Sequence, residues 1–420
     1  MGTESLSSRC RRRLLKYLKD EVLKMIPDIF KRSAKMNQLT LLLLLICAIL
    51  SGCGNSANNN DNNGNNGNKI SYIRITNDNS SEIGFNAVVN GKSFYTKDDD
   101  IITEINNLPS DYTNEPFHRK LWRYLIKSRY IFEPYTSDFW GHSPVLYLNS
   151  IGFGYCDNVA AVYYALATRF GYEARVWGLW GPNWVTGHVV PEVLINDHWE
   201  MYDPDMEVYY WNEKGQVAGV EELGDNPQLI TNPINPFPVT HFSPTTLTSD
   251  VPKIPYAYSQ IVADIYSSIY NRNIESFYYQ QVDVPKYDYP FSLPPKAYLE
   301  FPVKVDRKLK SSSGTDVPSY NLMRLVLPKG WSGSVKLPFV FLAINGSGSI
   351  SLNNAVYNLD SPDIGNQLII DGYIYQASIN DSLTNIEILF LVNKTRFDLD
   401  NISSFEIKSN DSNMLTVVYN

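Results

Sequence analysis

Cys156 stands in Gly154-Tyr155-Cys156-Asp157-Asn158-Val159-Ala160, at the expected start of a helix. Downstream come Gly187-His188 and then Tyr202-Asp203-Pro204. A thiol, an imidazole and a carboxylate in that order supply a nucleophile, a base and a group that orients the base. The helix start adds backbone amides and a dipole that favour a thiolate and that would steady the oxyanion formed when a carbonyl is attacked. A second oxyanion donor is open among Trp140, Ser150 and Tyr155, with Trp140 preferred.

Chain geometry supports the grouping. Asn196-Asp197 reads as a two-residue turn between short strands, which pairs Ile195 with His198 and Val190 with Asp203. Side chains alternate along a strand, so His188, Val190 and Glu192 share one face. Asp203 then falls on the His188 face, diagonal to it and about 7 Å away between backbone positions. A three-residue turn would send Asp203 to the other face.

Blander roles compete for each residue. A lone cysteine is often a small buried hydrophobe, a lone histidine is often structural, and Asp203-Pro204 could merely cap a turn. Asp205 is a weaker substitute as orienter. His198, beside the turn, is expected at the surface. His118, His142 and His241 carry no supporting context, although His142 lies near Trp140. Six of the eight tryptophans, Trp140, Trp177, Trp180, Trp184, Trp199 and Trp211, crowd one stretch. They would either line a substrate groove or pack the core, and Pro182-Asn183-Trp184 is the best exposed lip.

The front of the chain explains why Cys156 stands alone. Leu39 to Leu50 is an apolar run behind Lys31, Arg32 and Lys35, short for a bilayer span but suited to a signal-peptide core. It ends in Leu50-Ser51-Gly52-Cys53, which resembles the bacterial lipoprotein cleavage motif; that resemblance implies lipidation of Cys53 and a body held outside the cytoplasm. Gly54, in place of an aspartate, favours the outer membrane if the host has one. Cys10 and Cys47 would be lost on processing, and no disulfide framework is expected. The long extension before the apolar run leaves the true start open among Met1, Met25 and Met36; Met36 would leave no basic flank. Asn55 to Asn68 is an asparagine-rich tether that cannot bury apolar surface.

Charge is divided along the chain. Residues 1–52 hold ten Lys/Arg and four Asp/Glu, which leaves 26 against 40 in the remainder. An acidic body argues against nucleic acid as a partner. Strand-like alternation covers Ile70 to Thr76 and Phe85 to Phe94. Helical spacing covers Pro116 to Tyr130, Asp157 to Phe170 and part of Pro252 to Tyr270. Asp138 to Ser150 reads as a loop, and Gly171 as a helix stop. Ala174 to Leu179, His188 to Ile195 and His198 to Tyr202 read as strands. Beyond a proline-broken connector at Pro285, Pro290, Pro294 and Pro295, short alternating strands predict a β-sandwich-like region.

The motifs Gly154-Tyr155-Cys156, Phe170-Gly171-Tyr172-Glu173-Ala174-Arg175, Gly187-His188-Val189, Glu192-Val193, Trp199 and Asp203-Pro204 resemble the core of the transglutaminase-like superfamily. The resemblance covers about residues 115–210. It implies a papain-like fold with a triad on Cys156, His188 and Asp203. The expected fold class is α+β, with a catalytic domain over 69–282 and an all-β domain over 283–420, after an extension and signal over 1–52 and the tether over 53–68. The expected activity is amide hydrolysis on a peptide, protein or cell-wall-associated substrate, with no cofactor and no metal. Cross-linking acyl transfer and a non-catalytic glycan- or protein-binding lipoprotein are the alternatives.

Overall fold

A computed structural model describes residues 70–111, 113–135, 139–180, 187–234, 258–267, 291–305, 308–335, 338–347, 349–352, 355–358, 367–368, 372–373, 377–380, 384–408 and 415–420. The signal region with Cys53, the tether, Trp184 and His241 lie outside them. All described residues fall in one compact unit, Ala57–Pro244 with Val251–Asn420. The class is α+β, helix-bearing around the cysteine and β-rich toward the C-terminus.

Cys156–Phe170 is a helix because Val159, Ala160, Val162, Tyr163, Leu166 and Ala167 recur at helical spacing and are all buried. Gly171 ends it with φ 109°, a left-handed conformation open to glycine. The helix packs on a three-stranded antiparallel sheet of Ala174–Trp180, Gly187–Ile195 and His198–Met201, and on the helix Phe117–Lys127. In that sheet Ile195 pairs with His198 and Glu192 with Met201. Asn196 and Asp197 both have positive φ, 50° and 61°, as the tightest hairpin turn demands.

Asp138 to Ser150 departs from the expected loop. It carries a short turn at Phe139–His142, a helical turn at Pro144–Leu146 and a π-helical turn at Tyr147–Ile151. Val145, Leu146, Tyr147 and Leu148 are fully buried, so their apolar content favours a hydrogen-bonded backbone over a loop. Gly152 closes the π turn with φ 64°, and Asn393 stands where a Cβ would project.

Strand pairing does not follow the grouping of residues 69–282 with one another. Ile73–Asn77 lies between Tyr298–Phe301 and Leu415–Tyr419 in an antiparallel sheet that continues through Asn321–Leu327, Ile386–Val392 and Val340–Asn345. Asn86–Val89 likewise pairs with Phe405–Lys408. Alternation announces a strand but not its partner, and here the partners that complete the apolar layer of Ile73, Ile75, Leu299, Leu325 and Phe390 come from the far end of the chain.

The β-rich and helical parts meet through buried amides. Asn149 Nδ2 donates to Tyr95 O at 2.8 Å and to Pro338 O at 3.1 Å. Asn393 Nδ2 donates to Ser128 O and Leu148 O, each at 3.0 Å. Among the described residues no helix is long and apolar enough to cross a membrane.

Candidate active site

Three elements converge on one point. Cys156 opens its helix and is half-buried. Its approach is fixed by Asn158, whose Oδ1 accepts the Tyr155 N–H at 3.1 Å. Gly154 is required there, because a Cβ would sit 2.5 Å from that same Oδ1. His188 sits near the start of the middle strand, across from Leu179, and is buried.

Asp203 follows the third strand. Tyr202 N–H donates to Pro191 O at 3.3 Å, which extends the ladder and sets Asp203 across from Val190. The expected parity therefore holds, and Nε2 of His188 lies 2.6 Å from Asp203 Oδ2. Asp203 is fully buried, yet every face is used. Its Oδ1 accepts the N–H groups of Asp205 and Met206, each at 2.9 Å. Its carbonyl accepts the Trp122 indole N–H at 2.8 Å. With Nε2 engaged, Nδ1 is the nitrogen left for the Cys156 thiol, to which the ring is hydrogen-bonded.

Electrostatics couple the pair. Burial opposes a charged His188, but Asp203 and the neighbouring sulfur outweigh it and hold the imidazolium well above the ordinary histidine range. Burial pushes the Cys156 thiol up; His188 pulls it down, while Asp205 and Asp157 push it up again. The helix start alone does not give a low thiol, because burial wins and the charge of His188 only partly offsets it.

Two residues join this site that the sequence left aside or undervalued. Asp205 places a carboxylate oxygen, with Cys156 Sγ and a His188 ring nitrogen, in a group whose atoms lie within 4.8 Å of one another. Arg129, buried, donates from Nη2 to Asp205 Oδ1 at 2.8 Å and to Gly154 O at 2.9 Å. Its Nη1 reaches Pro204 O at 3.3 Å and its Nε reaches Tyr147 Oη at 3.2 Å. One guanidinium thus ties the segment before the cysteine to the loop after Asp203. Nothing in the local pattern Ser128-Arg129-Tyr130 signals this.

The other expected residues separate. The turn bearing Trp140 packs against the Cys156 helix, while the Trp140 side chain lies outside the described residues. Ser150 is not at the site: its Oγ, buried, accepts the Val340 N–H at 2.9 Å. Tyr155 is exposed. His142 is buried with Nε2 3.6 Å from Asp157 Oδ2. His118 is held neutral by burial and by Arg119, its pKa brought down to about 3. His198 is half-buried rather than free at the surface, its Nε2 2.8 Å from Val217 O.

Tryptophans at the hairpin serve packing. Trp177 Nε1 donates to the buried Glu192 carboxylate, which also takes Arg175 and the Val220 N–H. Trp199 lies under the Arg175 guanidinium at 3.9 Å, and Trp211 faces Arg119 at 5.0 Å. Arginine stacking, not an open aromatic groove, occupies these faces.

The chain matches no protein-family model, no curated protein and no solved structure.

Proposed function

We propose that the chain is a cysteine enzyme of transglutaminase-like type, with a papain-like catalytic core, acting at amide bonds of a peptide, protein or cell-wall-associated substrate. The observation that carries the reading is the continuous chain Cys156, His188, Asp203, with a buried carboxylate 2.6 Å from the outer imidazole nitrogen. A structural histidine needs no carboxylate on one nitrogen and a half-buried thiol on the other.

In this reading His188 Nδ1 carries the Cys156 proton as an ion pair, and the Cys156 thiolate attacks the substrate carbonyl carbon. The backbone N–H groups at the helix start receive the oxyanion. The C–N bond breaks, His188 returns the proton to the departing amine, and a thioester remains on Cys156. Water, deprotonated by His188, then attacks the thioester and frees the thiol. Asp203 holds the ring and its charge throughout. Hydrolysis is favoured over transfer.

Iodoacetamide at neutral pH tests the nucleophile. Cys156 is expected to react at least about 10-fold faster in wild type than in His188→Ala. A wild-type rate no greater than that of a small free thiol removes the basis of the reading. The body is proposed to be anchored outside the cytoplasm through lipid on Cys53; Cys53→Ser then moves it to the soluble fraction, and undiminished membrane retention refutes the anchor.

A further inference from the structure

Two carboxylates reach His188, and they do different work. Asp203 is spent: one oxygen takes the His188 ring, the other takes two backbone N–H groups. Asp205 groups with the sulfur instead. Its carboxylate, Cys156 Sγ and a His188 nitrogen all lie within 4.8 Å of one another.

We propose that Cys156, His188 and Asp205 form a zinc-binding site, with the fourth position left to water. The donor set is thiolate sulfur, imidazole nitrogen and carboxylate oxygen, which suits a borderline-soft divalent cation. Zinc bonds of about 2.0–2.3 Å place ligand atoms roughly 3.5 Å apart, so the three donors close in by about 1 Å. Side-chain rotation at the half-buried Cys156 supplies such a movement without repacking the core.

The surroundings are built as a ligand-orienting shell. Asp203 fixes the His188 ring through Nε2, which turns Nδ1 to the shared space. Arg129 holds Asp205 through Oδ1 at 2.8 Å and leaves its other oxygen for the ion. Coordination sends the thiol proton and the His188 Nδ1 proton to solvent and commits the sulfur lone pair, so zinc and an electrophile compete for Cys156. The site does not depend on the catalytic reading, because occupancy is measured without turnover.

Tag-free full-length protein, cleared of metal with chelator, is titrated with zinc sulfate, and bound zinc is measured by elemental mass spectrometry after gel filtration. Cobalt(II) in place of zinc reports sulfur ligation through a near-ultraviolet charge-transfer band. One equivalent is expected on wild type, with the cobalt band present. Cys156→Ser abolishes the band, and Cys156→Ser and Asp205→Asn each weaken zinc binding at least about 10-fold. Zinc also shields Cys156 from iodoacetamide, and EDTA restores labelling. Absence of stoichiometric zinc on wild type overturns the proposal, as does affinity unchanged by Cys156→Ser. Cys156→Ser, at a half-buried helix start, keeps the test decisive if Asp205→Asn fails to fold. Slow alkylation with zinc binding intact would count against the enzyme and not against the metal site.

Discussion

His188 Nε2 lies 2.6 Å from Asp203 Oδ2, and both groups are buried. Such a contact fixes the orientation of the ring, leaving its other nitrogen to the thiol. Asp203→Asn keeps the acceptor for the Asp205 and Met206 N–H groups but removes the charge. Iodoacetamide labelling of Cys156 is expected to slow at least about 10-fold with the fold intact by circular dichroism. Unchanged labelling in a folded variant would assign Asp203 to structure alone.

Arg129 joins four groups in the interior, so its removal leaves the Asp205 carboxylate without its cation. Arg129→Met is expected to lower unfolding free energy by about 3–5 kcal/mol. Pairing it with Asp205→Asn should recover part of that loss, since the uncompensated charge is gone. Urea denaturation of the four-protein cycle measures the coupling; additive losses would show that the two side chains stabilise the fold independently.

Stability should fall as the solution becomes alkaline. The folded protein holds His188 protonated well above the unfolded range, through Asp203 and the sulfur of Cys156 with Asp205 nearby. That contribution is complete below the unfolded pKa of about 6.5 and fades as pH climbs through the folded value. Wild type should therefore lose stability relative to His188→Gln by up to about 1.4 kcal/mol per pH unit above neutrality. Chemical denaturation at stepped pH, with chelator present, reads the slope; parallel curves for the two proteins would contradict it.

Gly152 turns the chain toward Cys156 at φ 64°, against the Asn393 side chain. Gly152→Ala is expected to destabilise by about 1–3 kcal/mol through backbone strain and collision. Adding Asn393→Gly should relieve the collision but forfeit the bonds to Ser128 and Leu148, leaving the double variant no more stable than the single. Thermal unfolding of the variants separates these effects.

The placement of Asp203 beside His188 was legible where a short-range rule governs it. Asn196-Asp197 dictates the hairpin, period two dictates the face, and the ladder carries both to Asp203. Arg129 was not legible, because its partners are two backbone carbonyls, a phenol and a carboxylate from distant segments. Ser150 and the tryptophans show the same limit from the other side. Residue type admits either a site or a core role, and only the partners (Val340 for Ser150, Arg175 for Trp199) decide between them. The thiol lies above its ordinary range because burial outweighs the lowering by His188, a balance that a helix start in the sequence does not reveal.

Ile73–Asn77 has Leu415–Tyr419 as one neighbour and Tyr298–Phe301 as the other. During synthesis the first of these strands leaves the ribosome long before either partner exists. Its buried positions, Ile73 and Ile75, must wait for more than half of the chain to be made. Folding of this sheet is therefore tied to the synthesis of Leu415–Tyr419, and the waiting strand needs shielding in the interval.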